Sequence, residues 1–265
     1  MRAIILAAGA GTRLNGCGRH LPKCLADMGG RPLIDRQLAM LHAAGIEDVT
    51  VVVGFGAAQV RRACGSRVDY VDNLRYARTN SLYSLWLARR RLAGGAVILN
   101  CDVLFHPRLL DDLLGARYPD ALLVAPPDPG AGPYGDEEMK VKIRAGRIVD
   151  MRKDLPPHEA DGENVGMVKV GGDGAALLAD LLDRLVAAGG ARDWAPRAFL
   201  ELARRRPIFA VGTRGLPWIE IDTPDDYARA RREIWPAIAP VLDQQPAGGR
   251  SPAPRVACWS RGAGR

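Results

Sequence analysis

The sequence has no Cys-x-x-Cys pair, no long apolar run and only a small excess of basic over acidic residues before residue 241. Its five cysteines are an odd number in a chain of 265 residues, which argues against a disulfide scaffold and favours reducing cytosol. We therefore expect a cytoplasmic protein. No window approaches the roughly 18 apolar residues of a membrane-spanning helix, so we expect no membrane partner. The apolar run Ala3–Ala8 is too short for a secretory leader.

The charge of the chain is unevenly distributed. Of the formal net charge of +7, residues 241–265 contribute +3 through four arginines and one aspartate, which leaves +4 for residues 1–240. This is not the basic footprint of a nucleic-acid-binding protein, so no nucleic acid is expected as a partner. A local basic pocket for an anion and a scattered arginine-rich surface explain the total equally well. Residues 241–265 are rich in Pro, Gly, Arg and Ser and are predicted to be a disordered tail after a single domain, 1–240.

Strand-like and helix-like segments alternate along the first 105 residues. Short buried strands are predicted at Ala3–Ala7, Val49–Val53 and Val97–Leu99, and helices at Pro32–Gly45 and Leu82–Leu92. The alternation predicts an α/β fold with a mixed, mainly parallel sheet and helices on both faces. Ligands of such sheets bind beyond the carboxyl ends of the strands.

The second half of the chain changes character. Met139–Ile143 and Arg147–Met151 flank Arg144-Ala145-Gly146, which predicts a β-hairpin. A further strand is predicted at Trp218–Ile221. The run Thr223-Pro224-Asp225-Asp226 predicts the start of a helix, with a threonine N-cap and proline at the first helical position.

A glycine-containing loop follows the first predicted strand, in the run Leu6-Ala7-Ala8-Gly9-Ala10-Gly11-Thr12-Arg13. Glycines let backbone N–H groups approach a phosphate chain closely, and Arg13 adds a forked cation. The dinucleotide-binding motif requires glycine at the position of Leu14, and the P-loop motif requires a Gly-Lys pair, which this chain lacks. The loop therefore matches neither motif. Alone, the loop is also explained as a tight turn. Pro22-Lys23 follows, and a lysine at this place can stabilise charge on a transferring phosphoryl group.

Leu6–Arg13 and Pro22-Lys23 together resemble the signature of the nucleotidyltransferases that join a nucleoside triphosphate to a phosphorylated small molecule, which include the sugar-1-phosphate nucleotidylyltransferases. The resemblance covers about residues 1–235. It implies a Rossmann-like nucleotidyltransferase fold with nucleotide binding in about 1–120 and acceptor binding in about 121–240. Catalytic roles are implied for Arg13 on the leaving pyrophosphate and for Lys23 on the reacting phosphates. The implied nucleotide-binding residues of the loop are Leu6, Ala7, Ala8, Gly9, Ala10, Gly11 and Thr12.

A narrower resemblance lies in the run Thr79-Asn80-Ser81-Leu82-Tyr83-Ser84-Leu85. It is similar to the phosphocholine cytidylyltransferase branch, close to the cytidylyltransferases of aminoethyl- and hydroxyethyl-phosphonates. Asn80 and Ser84 stand four residues apart on one face of the predicted helix. The branch implies that their side chains read the cytosine of CTP. From the residues alone, the simpler interpretation is that Thr79 and Asn80 cap the helix and that Ser84 is solvated.

Two aspartates follow predicted strands, Asp102 after Val97–Leu99 and Asp222 after Trp218–Ile221. The resemblance matches both to the family's magnesium-binding aspartates, and carboxylates at adjoining strand ends suit Mg²⁺. The alternative for Asp222 is a part in the helix start that follows it. Asn100-Cys101-Asp102 is not the Asp-x-Asp of metal-dependent glycosyltransferases, which disfavours that class.

The acceptor side is implied by the runs Glu137–Val141 and Arg152–Glu163, which resemble the family's acceptor-side strands. Lys153 would hold the acceptor phosphate and Glu163 would face the far end of the acceptor. Trp218 is an aromatic candidate there, because a quaternary ammonium needs aromatic faces and a carboxylate. Ordinary packing explains each aromatic residue as well.

Together these residues predict an Mg²⁺-dependent cytidylyltransferase that transfers CMP from CTP to a small phosphorylated alcohol or phosphonate and releases pyrophosphate. A homodimer is one option for its assembly. A sugar- or cyclitol-1-phosphate nucleotidylyltransferase using another base is the nearest alternative. A non-catalytic nucleotide-sensing module is an alternative of another class, disfavoured because mere binding needs no paired metal ligands.

Overall fold

The computed structural model describes residues 1–14, 21–128 and 132–243. Its strands are β1 (Arg2–Ala7), β2 (Asp27–Met28), β3 (Arg31–Pro32), β4 (Val49–Val53), β5 (Asp69–Asp72), β6 (Ala96–Asn100), β7 (Val103–Phe105), β8 (Ala121–Ala125), β9 (Lys140–Arg144), β10 (Arg147–Arg152), β11 (Gly162–Val170), β12 (Phe209–Gly212) and β13 (Trp218–Glu220). Its α-helices are α1 (Leu33–Ala43), α2 (Ala57–Cys64), α3 (Ser81–Leu87), α4 (Pro107–Leu114), α5 (Gly172–Ala187), α6 (Pro196–Ala203), α7 (Pro224–Arg229) and α8 (Trp235–Asp243).

Nine of the described strands form one sheet in the order β5-β4-β1-β6-β11-β8-β12-β10-β9. Strands β5, β4, β1 and β6 are parallel to one another. Strand β11 then runs antiparallel to both β6 and β8, and β12 is parallel to β8. Strands β10 and β9 complete the sheet in antiparallel pairs. The predicted mixed α/β sheet is confirmed. Its parallel pairs lie in the first half and between β8 and β12, and its other described pairs are antiparallel, so the sheet is mixed and not mainly parallel.

Side chains of β1 show how the core is divided between the two faces of the sheet. Ala3, Ile5 and Ala7 belong to the apolar cluster under α1, α2 and α4. Ile4 and Leu6 belong to the cluster under α3, α5 and α6. A strand covered on both faces has a continuous apolar sequence, which is why β1 was predictable. The predicted helices on both faces are confirmed.

Strands β7 and β13 form a separate antiparallel pair, which we call the ribbon. The N–H of Ile221 donates to the carbonyl of Asp102 at 2.9 Å, just beyond this pairing. Asp102 therefore stands immediately before one strand of the ribbon and Asp222 follows the other. The two strand ends adjoin as predicted, although through the ribbon and not through the large sheet.

The predicted hairpin is confirmed by the pairing of β9 with β10. Arg144 pairs with Arg147, which leaves Ala145 and Gly146 as a two-residue turn. Both have positive φ, 49° and 75°, as the favoured hairpin turns require.

Two boundaries differ from the sequence predictions. The helix predicted at Leu82–Leu92 divides into α3 and a 3₁₀ turn, Arg89–Leu92. The predicted tail begins inside α8, which continues through Pro240 to Asp243. Residues 244–265 lie outside the described residues. Among the described helices, none combines the length and the apolar character needed to cross a bilayer.

Candidate active site

The loop after β1 packs against Lys23 at a glycine. Gly11 has φ +58°, and a Cβ atom there would lie 2.5 Å from Cγ of Lys23. Other L residues rarely adopt this conformation, so residue 11 is restricted to glycine unless Lys23 moves. At Gly9 no atom lies within 4 Å of where a Cβ would stand, which leaves the backbone open to a ligand.

Lys23 begins a 3₁₀ turn and is anchored by buried neighbours, Pro22 and Cys24. Its ammonium donates to Asp222 Oδ1 and lies 3.6 Å from Asp102 Oδ2. Burial by itself lowers the pKa of Lys23, but the charges of Asp102 and Asp222 raise it more, so the net shift is upward. The lysine is therefore a cation at neutral pH.

Three carboxylates gather at the end of the ribbon. One oxygen each of Asp102, Glu220 and Asp222 lies within 4.8 Å of the others. Within the described chain, Oδ1 of Asp102 is buried without a hydrogen-bond partner. The pKa of Asp102 is raised, chiefly by burial. Burial, followed by the charges of Asp102 and Asp222, raises the pKa of Glu220 well above its ordinary value. A cation among these oxygens would relieve their repulsion.

Glu220 was not predicted from the sequence. It lies in β13, two residues before Asp222, and alternate residues of an extended strand point to the same side. This period of two was the signal that would have found it. Asp222 also takes part in the helix start, since its N–H donates to Asp226 Oδ2 at 3.2 Å. The capping box between Thr223 and Asp226 confirms the predicted N-cap. The part of Asp222 in the helix start is therefore confirmed, and its role as a metal ligand stays a prediction.

A second group of ion pairs joins the two halves of the site. Arg13 contacts Asp222 at 2.6 Å and Glu137 at 3.0 Å. Glu137 also accepts from Nζ of Lys153 at 2.8 Å. Lys153, followed by Arg13, holds the pKa of Glu137 below its ordinary value. Two of the predicted substrate-binding cations thus meet at Glu137, an exposed carboxylate at the start of the predicted acceptor-side run.

Glu163 lies in a crowded, largely buried acidic environment at the start of β11. Burial, followed by the charge of Glu138, raises the pKa of Glu163 to about 7, against the opposite effects of Lys140 and Arg229. Among the described residues, the hydroxyl of Tyr134 and Oε2 of Glu138 are buried without hydrogen-bond partners. The surroundings of Glu163 therefore contain acceptor oxygens that no protein donor satisfies.

Two tryptophans, the candidate Trp218 and Trp194 beside Lys153, differ in exposure. Trp218 is half-buried, packs against the apolar cluster under α1 and α4, and stands opposite Phe105 in the ribbon. Trp194 is 46% exposed, with Nζ of Lys153 4.7 Å from its ring centroid. The contact of Trp218 with an acceptor stays a prediction.

The predicted base-reading residues lie at the start of α3. Asn80 is the N-cap, its Oδ1 accepting from the N–H of Ser81 at 2.8 Å. Ser84 is buried, and its hydroxyl accepts from Nδ2 of Asn73 at 3.0 Å. Asn73 also donates to Thr79 Oγ1 at 3.1 Å. Capping by Asn80 is therefore confirmed, the solvated Ser84 of the simpler interpretation is wrong, and base contact by either residue stays a prediction.

The strand order of the large sheet defines a nucleotidyltransferase fold. The polar side chains described above gather between its glycine loop and the end of the ribbon. Residues 3–206 match the family described as "MobA-like NTP transferase domain", and the chain belongs to that family.

Sequence relatives point to the same family. The chain is 33% identical over 234 residues to the bifunctional IPC transferase and DIPP synthase of Rubrobacter xylanophilus, covering 84% of this chain and 50% of that protein. It is 34% identical over 156 residues to the choline-phosphate cytidylyltransferase of Streptococcus pneumoniae, covering 56% of this chain and 67% of that protein. The chain thus spans about half the length of the Rubrobacter relative.

Solved structures share the fold at low sequence identity. The CTP:phosphocholine cytidylyltransferase of Streptococcus pneumoniae superposes with a TM-score of 0.72 at 22% identity, over 87% of this chain and 97% of that one. The inositol-1-phosphate CTP transferase of T. maritima gives a TM-score of 0.73 at 19% identity, over 92% and 96%. The predicted nucleotidyltransferase fold is confirmed.

Proposed function

We propose that the protein is a cytidylyltransferase that transfers CMP from CTP to a small phosphorylated alcohol or phosphonate and releases pyrophosphate. The observation that carries this proposal is the meeting of Arg13, Lys23, Asp102 and Asp222 beside the glycine loop. These residues come from four separate parts of the chain. The names of the two sequence relatives, a choline-phosphate cytidylyltransferase and an IPC transferase, support transfer to a phosphorylated acceptor.

Asp102, Glu220 and Asp222 fit a magnesium ion. They supply carboxylate oxygens, the donors that Mg²⁺ prefers, and Asp102 Oδ1 is a buried oxygen with no donor in the described chain. When bound, Mg²⁺ would offset the charge of the triphosphate and polarise its α-phosphate. A nucleotide-sensing module would not need this set of ligands.

The protein's own cations supply the remaining charge stabilisation. In the proposed reaction, an acceptor oxygen attacks the α-phosphorus in line, the bond to the β-phosphate oxygen breaks, and pyrophosphate leaves with that electron pair. The acceptor is already an anion, so no general base is required. Lys23, kept protonated by Asp102 and Asp222, would neutralise the reacting phosphates, and Arg13 the departing pyrophosphate. Catalysis is then positioning and electrostatics.

The nucleotide would lie along the loop, with its phosphates near Gly9, where the backbone is open. Leu6, Ala7 and Ala8 would form the floor of this site, since all three are buried at the end of β1. The cytosine would reach Asn80, whose amide has capacity beyond the bond to Ser81. Ser84, through Asn73, would shape the same pocket.

The acceptor would lie between Lys153 and Glu163. Lys153 would exchange its bond to Glu137 for the acceptor phosphate. Glu163, Glu138 and the Tyr134 hydroxyl favour an acceptor whose far end donates hydrogen bonds or carries an ammonium group. An inositol phosphate is the second candidate, because the T. maritima protein with this fold is named as an inositol-1-phosphate CTP transferase. Trp218 as an acceptor contact, the cytoplasmic location and a homodimer stay predictions.

Pyrophosphate release with CTP and Mg²⁺ tests the proposal against a panel of acceptors. The panel contains phosphocholine, 2-aminoethylphosphonate, 2-hydroxyethylphosphonate and inositol-1-phosphate, and each acceptor is repeated with UTP, dTTP, ATP and GTP. We expect release with CTP and at least one amine-bearing acceptor. Nucleotide binding without release across the whole panel would contradict the proposal and support a sensing module.

A further inference from the structure

Gln37 is a buried polar residue on the apolar face of α1. It is 0% exposed, and its helix neighbours Ile34, Leu38 and Leu41 pack in the core. A buried primary amide destabilises a fold unless its donors and acceptor find partners. The contacts of this amide therefore indicate what it does.

The amide nitrogen of Gln37 spans the turn that carries Asp102. Nε2 donates to the carbonyl of Asn100 and to the carbonyl of Val103, at 2.9 Å each. These two carbonyls bracket Cys101 and Asp102. Rotating the amide would direct its oxygen at two carbonyl oxygens, so donation by the nitrogen is the arrangement that hydrogen-bond chemistry permits.

The amide oxygen of Gln37 shows that stability alone does not explain the residue. Oε1 is buried, and within the described part of the chain it has no hydrogen-bond partner. A methionine would fill similar space without an unpaired oxygen, although it would leave the two carbonyls without this donor. What the glutamine adds is a fixed spacing between the residues on either side of Asp102.

The carboxylate of Asp102 depends on its backbone for its direction. Its Oδ1 makes no hydrogen bond within the described residues, and its Oδ2 contacts Lys23 at 3.6 Å, a long ion pair. The backbone is held from two sides, by Gln37 from α1 and by the N–H of Ile221 from the ribbon. Loss of either support would let the carboxylate turn away from Glu220.

We infer that Gln37 is a positioning residue, which clamps the Asn100–Val103 turn and so directs Asp102 toward the divalent cation. The inference rests on the proposed function, because it takes Asp102 as a ligand of that cation. Gln37 contacts neither substrate nor metal and acts only through the turn.

Binding of Mn²⁺ to the full chain without substrates tests this role, with bound and free ion distinguished by electron paramagnetic resonance. We expect Gln37→Met to bind Mn²⁺ about 10-fold more weakly than the wild type, the low end for groups that orient metal ligands. The Mg²⁺ concentration for half-maximal pyrophosphate release should rise in parallel, with kcat largely recovered at saturating Mg²⁺.

Met40→Ala is the matched control for lost packing. Met40 lies on the same helix and is 2% exposed in the core, so its truncation lowers stability while the clamp on the turn stays in place. This variant should bind Mn²⁺ as the wild type does. Gln37→Asn is a second test variant: it keeps an amide but withdraws it by one methylene from the two carbonyls, and it should show the same loss.

The outcomes separate the inference from the proposed function. Wild-type Mn²⁺ affinity in Gln37→Met or in Gln37→Asn would overturn the positioning role, as would an equal loss in Met40→Ala. In each of these cases the wild type still binds Mn²⁺, so the proposed metal site stands. If the wild type binds no Mn²⁺, the proposed metal site fails and the inference fails with it.

Discussion

Lys23 and Asp222 form an ion pair although 199 positions separate them in the chain. Their side chains are only 13% and 20% exposed, so solvent screens the pair less than it screens the surface pairs of this protein. Lys23 comes from the loop region after β1, and Asp222 from the end of the ribbon. The pair therefore joins the start of the described chain to its last quarter at the point where the proposed chemistry occurs.

Replacing Lys23 with alanine should slow pyrophosphate release by about 100- to 1000-fold, because the phosphates lose a preorganised cation. The variant should also melt at a lower temperature without Mg²⁺, since the three carboxylates then face one another without the lysine. Added Mg²⁺ should recover more stability in this variant than in the wild type. Calorimetry with and without Mg²⁺, beside steady-state kinetics, measures both effects.

The control for this prediction is Lys142→Ala. Lys142 lies in β9 and pairs at 2.5 Å with Glu159, in the 3₁₀ turn Pro157–Glu159. It should leave turnover and the response to Mg²⁺ unchanged. Undiminished turnover in Lys23→Ala would remove that lysine from the mechanism.

Gly11→Ala should lower both the stability of the fold and kcat/KM, because residue 11 also packs against Lys23. The positive φ of +58° costs a non-glycine residue about 1–2 kcal/mol, and the new methyl group also displaces Lys23. Gly45→Ala is the matched control, because Gly45 has φ +77° and no atom within 4 Å of the added Cβ position. Both variants should lose similar stability, measured by denaturant titration, and only Gly11→Ala should lose kcat/KM. An equal loss of kcat/KM in both would refute the contact with Lys23.

Glu220→Gln should weaken Mn²⁺ binding by about 10- to 100-fold, the range found for groups around a bound metal. The amide keeps the shape of the side chain but removes one of three carboxylates. Asp225→Asn is the control, because Asp225 is exposed in the first turn of α7. Titration calorimetry with Mn²⁺ measures the affinity of both variants. An unchanged Mn²⁺ affinity in Glu220→Gln would exclude Glu220 as a ligand.

The affinity for an amine-bearing acceptor should increase between pH 6 and pH 8. With a pKa of about 7, Glu163 passes from about one tenth to about nine tenths ionised over this range. Among the charged groups around Glu163, Glu138 favours its protonation, and Lys140 and Arg229 favour its ionisation. Only the ionised carboxylate attracts an ammonium group, so KM for 2-aminoethylphosphonate should fall as the pH rises.

The hydroxyl analogue separates this effect from titration of the phosphonate itself. 2-Hydroxyethylphosphonate has a similar anionic end and no ammonium group. The pH dependence of its KM should therefore reflect the titration of the phosphonate alone. Glu163→Gln should give the amine the pH profile of the hydroxyl compound. Identical profiles for both acceptors in the wild type would place the ammonium group elsewhere.

The parts of the site that were predictable are those with a local signature. The glycine loop, Lys23 and the capping box at Thr223 each lie in a run of a few residues whose backbone requirements show in the sequence. Glu220 had a weaker signal in the alternation along β13. Gln37 had none, because its partners lie 63 and 66 positions away in the chain.

Missed elements of the fold have similar causes. The apolar run Ala121–Ala125 is rich in Ala and Leu, which suit a helix as well as a strand, and only its place between β11 and β12 decides for β8. Strand β7 follows β6 after two residues, too close for a separate pattern. Helix α4 did carry a signal, a proline at its start followed by leucines at helical spacing.

The ribbon has a consequence for truncated chains. All nine strands of the large sheet end at or before Gly212, ten residues before Asp222. A chain that ends between Gly212 and Trp218 would keep every strand of the large sheet and lack Glu220, Asp222 and the pairing of β13 with β7. Its content of sheet would therefore give little sign that the proposed site is incomplete.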